Sequence, residues 1–131
     1  MNKLFFYDYF NLIQQKIESV NIDDLIKSSE LIQATNKKGK KLIIAGNGGS
    51  AAMASHVSVD FTKAAGIRSI NFNEADLLTC FANDFGYAKV FEKAIEFYGE
   101  PGDLVILISS SGSSKNVIKA AKRAKQLNMN I

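Results

Sequence analysis

Two turns rich in glycine and serine carry the residue types best suited to holding a phosphate. The first turn, AGNGGSAA at 45–52, follows the apolar run LII, and the second, SSSGSS at 109–114, follows the apolar run LVILI. Glycine lets the backbone approach a ligand closely, and serine hydroxyls donate to phosphate oxygens without adding charge. A capped helix start would need one serine, whereas the second turn has five around Gly112. We therefore expect a phosphate cradle.

His56 and Asp60 are the candidate acid and base. They lie four residues apart in a segment with helical spacing, 50–63, so both should fall on one face of a helix. The segment is mostly small and apolar, which indicates little contact with water, and a buried carboxylate must be paired or hydrogen-bonded. Three interpretations are open. The two side chains satisfy each other, they form an acid/base pair beside a sugar phosphate, or they are two ligands of a divalent metal.

A third polar cluster, NDFGY at 83–87, interrupts an apolar stretch. Asp84 either caps the helix that follows a break near Gly86 or contacts a ligand, and the residues favour neither interpretation.

The first turn also fits the dinucleotide fingerprint G-x-G-x-x-G/A over 46–51. That fingerprint requires an acidic residue about 20 positions later for the ribose, but residues 66–72 contain none and Glu74 comes late. No phosphate-binding P-loop sequence occurs, so nucleoside triphosphate hydrolysis has no support. A nucleotide-binding domain is therefore a disfavoured third alternative.

Composition predicts one globular domain. The chain has 131 residues, 47% hydrophobic and 22% charged, with a formal net charge of +3. This charge is too small to indicate a nucleic-acid-binding face, and Lys37, Lys38, Lys40 and Lys41 are interpreted as a solvated helix end. The single cysteine, Cys80, excludes an internal disulfide and is expected to be buried. No apolar run approaches the roughly 20 residues of a membrane span and no secretory signal is recognised, so we expect a cytoplasmic protein without a membrane partner.

Hydrophobic periodicity predicts two helices before any strand. The first, about 3–19, has a very broad apolar surface, and the second is capped by Asn21 and stops at Gly39. Three strands then alternate with helices, which predicts a parallel sheet in a layered α/β domain. The strands are expected at 42–44, 68–72 and 104–108, and the helices at 50–63, at 75–98 and on a last face of Val117, Ile118, Ala121, Ala124 and Leu127. A fourth strand should begin at 130–131, so the domain is expected to be incomplete.

The sequences GNGGSAAMASH, CFANDFGYAKVF and GDLVILISSSGSSKNVIKAAKRA together resemble the sugar-isomerase (SIS) domain, and within that family the phosphoheptose isomerases. The resemblance runs from the N-terminal helices to the last residue. It implies one SIS domain over 1–131, with a three-layer, doubly wound parallel sheet of the flavodoxin-like type. Residues 1–39 would be oligomerisation helices and 40–131 the sugar-phosphate-binding core, truncated at its C-terminal end. The resemblance also implies a homotetramer with active sites between subunits.

The resemblance assigns site residues position by position. His56 matches an active-site histidine that binds metal in zinc-containing members, so His56 and Asp60 are the candidate ligands if zinc is used. Asp60 falls where these isomerases place a glutamate, the base that moves a proton between C1 and C2. Substrate contacts are implied for Asn47, Gly48, Ser50, Asp84, Ser109, Ser110, Ser111 and Ser114.

Three departures from the family pattern stand out. Aspartate at 60 is one methylene shorter than glutamate, and the family's second catalytic histidine has no counterpart in the chain, whose one histidine is His56. An arginine that the family places shortly after the base is also missing, and Lys63 or Arg68 could replace it.

Two main hypotheses follow. The first is an isomerase that converts sedoheptulose 7-phosphate to an aldoheptose 7-phosphate, a heptose precursor for lipopolysaccharide or capsule, with Asp60 as base and His56 as a candidate proton donor. The second is a non-catalytic SIS module that binds a sugar phosphate or a protein partner, which the departures favour. Neither hypothesis involves nucleic acid.

Overall fold

The computed structural model describes residues 2–131, which form six helices and three strands. The helices are α1 (Lys3–Glu18), α2 (Ile22–Lys37), α3 (Gly49–Lys63), α4 (Ala75–Phe85), α5 (Val90–Tyr98) and α6 (Lys115–Gln126), and the strands are β1 (Leu42–Gly46), β2 (Ser69–Asn71) and β3 (Leu104–Ile108). A single 3-10 turn, Tyr87–Lys89, precedes α5. The alternation of strand and helix confirms the predicted α/β class.

The three strands form one parallel sheet in the order β2-β1-β3. The register between β1 and β3 runs from Leu42 opposite Leu104 to Gly46 opposite Ile108. On the outer side of β3, Asn130 forms a parallel bridge with Leu104, and the Val105 N–H donates to the Asn130 carbonyl oxygen at 2.8 Å. Residue 130 thus starts a pairing where the sequence predicts a fourth strand.

Alternating side chains of the central strand divide the core between the two faces of the sheet. Ile43 and Ala45 face a cluster with Val105 and the inner sides of α5 and α6. Leu42 and Ile44 face the opposite cluster, which includes Ala54 of α3. Helices therefore cover both faces of the sheet, which confirms the three layers. Because β1 is buried on both sides, its sequence is a continuous apolar run. The last three residues of β3 are half-buried, so that strand is less covered than its apolar run predicts.

The N-terminal helices begin with side-chain caps. The Phe5 N–H donates to Asn2 Oδ1 at 3.1 Å, and the Asp23 N–H donates to Asn21 Oδ1 at 2.9 Å, which confirms the cap predicted for α2. Gly39 has a φ of 68° just past α2, as a helix stop requires. The described residues form two compact units, one that ends at residue 30 and one that spans 31–131. No helix of the described residues is long and apolar enough to cross a membrane.

Several burial predictions from the sequence are wrong. Cys80 is exposed, because it lies on the outer side of α4. Ile118 is 39% exposed, whereas Ala120 is fully buried. The buried residues of α6 are Asn116, Val117, Ala120 and Ala124, so the predicted face is confirmed at Val117 and Ala124 and wrong at Ile118.

A buried ion pair fixes the amino-terminal ends of β1 and β3. Asp103 is fully buried and accepts three hydrogen bonds: from Lys41 Nζ at 2.6 Å, from the Lys41 N–H at 3.0 Å and from the Glu100 N–H at 2.9 Å. Burial raises the pKa of Asp103, but the Lys41 side chain and the two backbone N–H groups outweigh it, so the pKa lies below its ordinary value of 3.8. The interpretation of the lysine cluster as a solvated helix end is therefore wrong for Lys41, which is half-buried.

Replacing Asp103 with asparagine should destabilise the fold by about 3 kcal/mol, because Lys41 would lose its charged partner inside the protein. Because the folded-state pKa is lowered, the contribution of Asp103 is complete above the ordinary value of 3.8 and is lost as the pH falls below it. Urea unfolding at pH 7 and at pH values below 4 measures both effects. Asp76→Asn, at an exposed aspartate in the first turn of α4, is the control and should cost less than about 1 kcal/mol. An Asp103→Asn variant as stable as the parent at pH 7 would contradict this account.

Candidate functional site

The two special turns lie together at the carboxyl edge of the sheet. The first follows β1 and leads into α3, and the second follows β3 and leads into α6. Because β1 and β3 are neighbours and α3 and α6 cover opposite faces of the sheet, the chain leaves the two strands in opposite directions. This is the topological switch point at which open α/β sheets bind ligands.

A crevice of about 60 Å³ opens between the two turns. That volume has room for about four waters, and one phosphate group occupies a similar space. Five polar residues and one apolar residue line it: Asn47, Ser50, Ile108, Ser109, Ser110 and Ser114. Five of the predicted substrate-binding residues are thus brought together, although they come from turns more than 55 positions apart in the sequence. None of the lining side chains carries a charge.

Position 46 has to be glycine because Ser50 and Ile108 lie too close to its Cα to leave room for a side chain. A Cβ at this position would lie 2.7 Å from the Cβ of Ser50 and 2.9 Å from the carbonyl oxygen of Ile108. The end of β1, the first turn of α3 and the end of β3 therefore meet at this glycine. Gly48 has a different role, since its φ of 54° and ψ of −121° are accessible mainly to glycine. Gly48 supplies no side-chain cap, and the N–H groups of Ser50 and Ala51 donate instead to the carbonyl oxygens of Asn47 and Gly48, both at 2.9 Å.

The serine turn is ordered by its own hydroxyls. The Gly112 N–H donates to Ser109 Oγ at 3.2 Å, the Ser113 N–H donates to Ser111 Oγ at 3.2 Å, and Ser109 Oγ lies 3.4 Å from Ser114 Oγ. Ser114 is the N-cap residue of α6 but makes no side-chain cap bond. The dipole of α6 has its positive end at this turn and adds to the attraction for an anion. Ser111 does not line the crevice and acts within the turn.

A network of side-chain amides joins the walls of the crevice, and two of its members were not predicted from the sequence. Asn47 and Asn116 exchange two hydrogen bonds, with Nδ2 to Oδ1 distances of 3.0 and 2.7 Å, and Tyr87 Oη donates to Asn47 Oδ1 at 3.0 Å. Asn116 is 3% exposed. Its sequence signal is a polar residue four and eight positions before Ala120 and Ala124, on the buried stripe of α6. Tyr87 had a weaker signal, its place in the NDFGY cluster.

His56 and Asp60 lie on the exposed side of α3. His56 Nε2 is 3.5 Å from Asp60 Oδ2, and their side chains are 81% and 62% exposed. The expectation of a buried carboxylate is therefore wrong, because the small apolar residues of α3 do not all face the core. Asp60 comes eleven residues after the start of the helix, about 16 Å along its axis, and neither residue lines the crevice.

Asp84 and the two candidate replacements for the missing arginine also lie outside the lining. Asp84 accepts from Asn83 Nδ2 at 2.9 Å and lies 3.8 Å from Cys80 Sγ, and it does not cap the 3-10 turn, whose N-cap is Gly86. Lys63 is the last residue of α3. Arg68 precedes β2 and donates to the carbonyl oxygen of Gly39, so it lies at the amino edge of the sheet, opposite the crevice.

His56 and Asp60 do not make a metal site by themselves. A catalytic zinc site uses three protein ligands, and no group of three His, Cys, Asp or Glu side chains is close enough in residues 2–131 to hold an ion. The two side chains of this chain could supply at most part of a coordination shell.

Gly46→Ala should destabilise the protein by more than about 2 kcal/mol and distort the crevice. The added methyl group would collide with Cβ and the carbonyl carbon of Ser50 and with the carbonyl oxygen of Ile108. Gly49→Ala is the matched control, since a Cβ at Gly49 has no neighbour within 4 Å and its φ is not positive. Urea unfolding of both variants makes the measurement. Equal stability of the two variants would mean that the strands and α3 are not as close as described.

The chain is similar to known proteins over nearly its whole length. The SIS domain family matches residues 5–131. The phosphoheptose isomerase of Thermodesulfovibrio yellowstonii is 39% identical over 120 residues, which cover 87% of this chain and 60% of that protein. The phosphoheptose isomerase of Fusobacterium nucleatum is 44% identical over 93 residues, 67% of this chain and 48% of that protein.

Solved structures agree with the fold. The phosphoheptose isomerase GmhA of Neisseria gonorrhoeae superposes with a TM-score of 0.87 at 31% identity, covering 94% of this chain and 67% of that one. The phosphoheptose isomerase of Francisella tularensis gives a TM-score of 0.89 at 26% identity, covering 98% of this chain and 72% of that one. The chain spans 60% and 48% of the length of the two relatives named above. Because the family match covers nearly every residue, this chain belongs to the SIS domain family.

Proposed function

We propose that this chain is a phosphosugar isomerase of the phosphoheptose type, which interconverts sedoheptulose 7-phosphate and an aldoheptose 7-phosphate. The observation that carries the proposal is the crevice at the switch point between β1 and β3, lined by hydroxyl and amide groups from both turns. Its uncharged donors and two helix N-termini suit a phosphate ester. The similarity to phosphoheptose isomerases supports the choice of sugar.

In the proposed reaction the serine turn holds the phosphate and the open-chain sugar extends away from it. Asp60 takes a proton from C1, the electron pair forms the C1–C2 double bond of an enediol, and the C2 carbonyl oxygen gains a proton. Return of a proton to C2, with loss of the O1 hydroxyl proton, gives the aldose. We assign the proton return to His56 or to a group outside this chain.

A homotetramer is part of the same proposal. The exposed position of Asp60 on α3 supports it, since a base that works on a bound sugar must be screened from bulk water. The large apolar side chains of α1 are also exposed, which single soluble domains avoid. They are Leu4, Phe5, Phe6, Tyr7, Tyr9, Phe10, Leu12, Ile13 and Ile17. A cytoplasmic location and a role in making heptose for lipopolysaccharide or capsule stay predictions from the sequence.

The alternative is a non-catalytic module that binds a sugar phosphate. One observation favours it: both turns contribute polar groups to the crevice, whereas His56 and Asp60 lie outside its lining. The module would then use the phosphate cradle without the chemistry on α3.

Incubation of the purified chain with sedoheptulose 7-phosphate separates the two functions, because formation of an aldose phosphate requires the enzyme. Asp60→Asn should lower kcat at least about 100-fold with little change in KM, since general base catalysis supplies factors of that size. Ser110→Ala, at a lining residue whose side chain is exposed, should mainly raise KM by about tenfold. Binding without turnover would support the module, and a fully active Asp60→Asn variant would refute the mechanism.

Sedimentation equilibrium should give a mass of four chains for the parent protein, because burial of the α1 side chains favours assembly. Phe6→Asp and Phe10→Asp together should shift it toward smaller species, since each buries a charge in the proposed interface. Asp8→Asn on the same helix is the control and should leave the mass unchanged. A monomeric parent chain at micromolar concentration would contradict the tetramer.

A further inference from the structure

We propose that Asn116 is a positioning residue, which holds the Asn47 amide so that it presents an N–H, and no acceptor, to an oxyanion in the crevice. The inference rests on the proposed function for the identity of the ligand. The orientation itself follows from the hydrogen bonds of three side chains and one backbone amide.

The direction of the amide pair is set by the backbone. The Val117 N–H donates to Asn116 Oδ1 at 3.0 Å, and a backbone N–H can only donate. This bond identifies the oxygen of the Asn116 amide, which would otherwise be interchangeable with its nitrogen. The same oxygen accepts from Asn47 Nδ2 at 3.0 Å, so the nitrogen of Asn47 is identified in turn.

Counting the bonds of Asn47 leaves one free group. Its Oδ1 accepts from Asn116 Nδ2 at 2.7 Å and from Tyr87 Oη at 3.0 Å, which uses both lone pairs of the oxygen. One of the two Nδ2 hydrogens is used by Asn116, and the other has no partner among the described residues. Asn47 lines the crevice, so the group it can offer a ligand there is an N–H.

This orientation matters for an anion. A free amide turned the other way would point a carbonyl oxygen into the crevice, where it would repel a phosphate oxygen. With the observed orientation, Asn47 adds a donor to the serine hydroxyls and to the positive ends of the α3 and α6 dipoles, and the ligand need not reorient the amide when it binds.

Packing does not explain the choice of asparagine at position 116. The site is 3% exposed and lies on the stripe of α6 that continues with Ala120 and Ala124, where an apolar side chain would be buried without cost. The buried amide of Asn116 is tolerated because its oxygen accepts two hydrogen bonds and its nitrogen donates one. The two bonds to Asn47 link the first turn of α6 to the turn after β1. Asn116 therefore acts on the ligand through Asn47.

A double-mutant cycle tests the inference with sedoheptulose 7-phosphate as the calorimetric probe. Asn116→Leu, which keeps the shape and removes the bonds, should weaken binding about tenfold in the parent chain and less than about twofold in an Asn47→Ala background. Tyr87→Phe should weaken binding about threefold, and it keeps the fold because Tyr87 is 58% exposed. Lys122→Gln, at an exposed residue of α6, is the control and should bind as the parent does. Equal losses from Asn116→Leu in both backgrounds would overturn the inference.

A second measurement does not depend on the ligand. In the NMR spectrum of the parent chain, one Asn47 side-chain N–H should exchange slowly with solvent and the other quickly, and in Asn116→Leu both should exchange quickly. Failure of the parent chain to bind the sugar phosphate would refute the proposed function, while the exchange rates would still decide the orientation of Asn47. If Asn116→Leu does not fold, Tyr87→Phe takes its place in the cycle, with the same non-additivity expected. An Asn47 amide unchanged by loss of Asn116 would refute the positioning role.

Discussion

The ladder between β1 and β3 is the constraint on which the rest of the structure depends. These two strands are neighbours in space although β2 lies between them in the sequence, and their chains leave toward opposite faces of the sheet. That divergence opens the crevice. The ladder is fixed at both ends, by the buried Asp103–Lys41 pair at the amino edge and by the close approach of Gly46 to Ile108 at the carboxyl edge. A shift in register would separate the two turns.

The two edges of the sheet use opposite electrostatic solutions. At the amino edge a charge is buried, and Asp103 is held ionised by Lys41 and by two backbone amides. At the carboxyl edge the lining is uncharged, and its donors are hydroxyls, an amide and helix N-termini. A fixed lysine in the crevice would bind any anion strongly, whereas neutral donors in fixed directions favour a ligand whose oxygens match their geometry. The buried charge at the amino edge and the proposed phosphate contacts at the carboxyl edge therefore belong to separate groups.

The sequence predicts well what depends on near neighbours. β3 is found with its predicted bounds, the cap at Asn21 and the stop at Gly39 are confirmed, and the two turns follow their strands as expected. It fails where a partner is distant. Asp103 lies 62 positions from Lys41, and Asn116 lies 69 positions from Asn47. No local pattern encodes such a pair. Asn116 can be noticed in the sequence as a polar residue on the apolar stripe of α6. The pairing partners themselves can be identified only in the folded chain.

The surface of α3 links the fold to the proposed chemistry. Beside Asp60 lies an apolar hollow of about 330 Å³, lined by Val57, Phe61, Ala64 and Ala65. An exposed carboxylate is a weak base in water, and its strength rises when water is excluded from one side. An isomerase that used Asp60 would therefore need this hollow to be covered. The small apolar residues of α3 predict a buried helix from the sequence. In the proposed tetramer, a second copy of the chain would cover this surface. In the proposed enzyme, one chain would supply the turns that hold the phosphate, whereas Asp60 would work as a base only after a second copy covered the hollow.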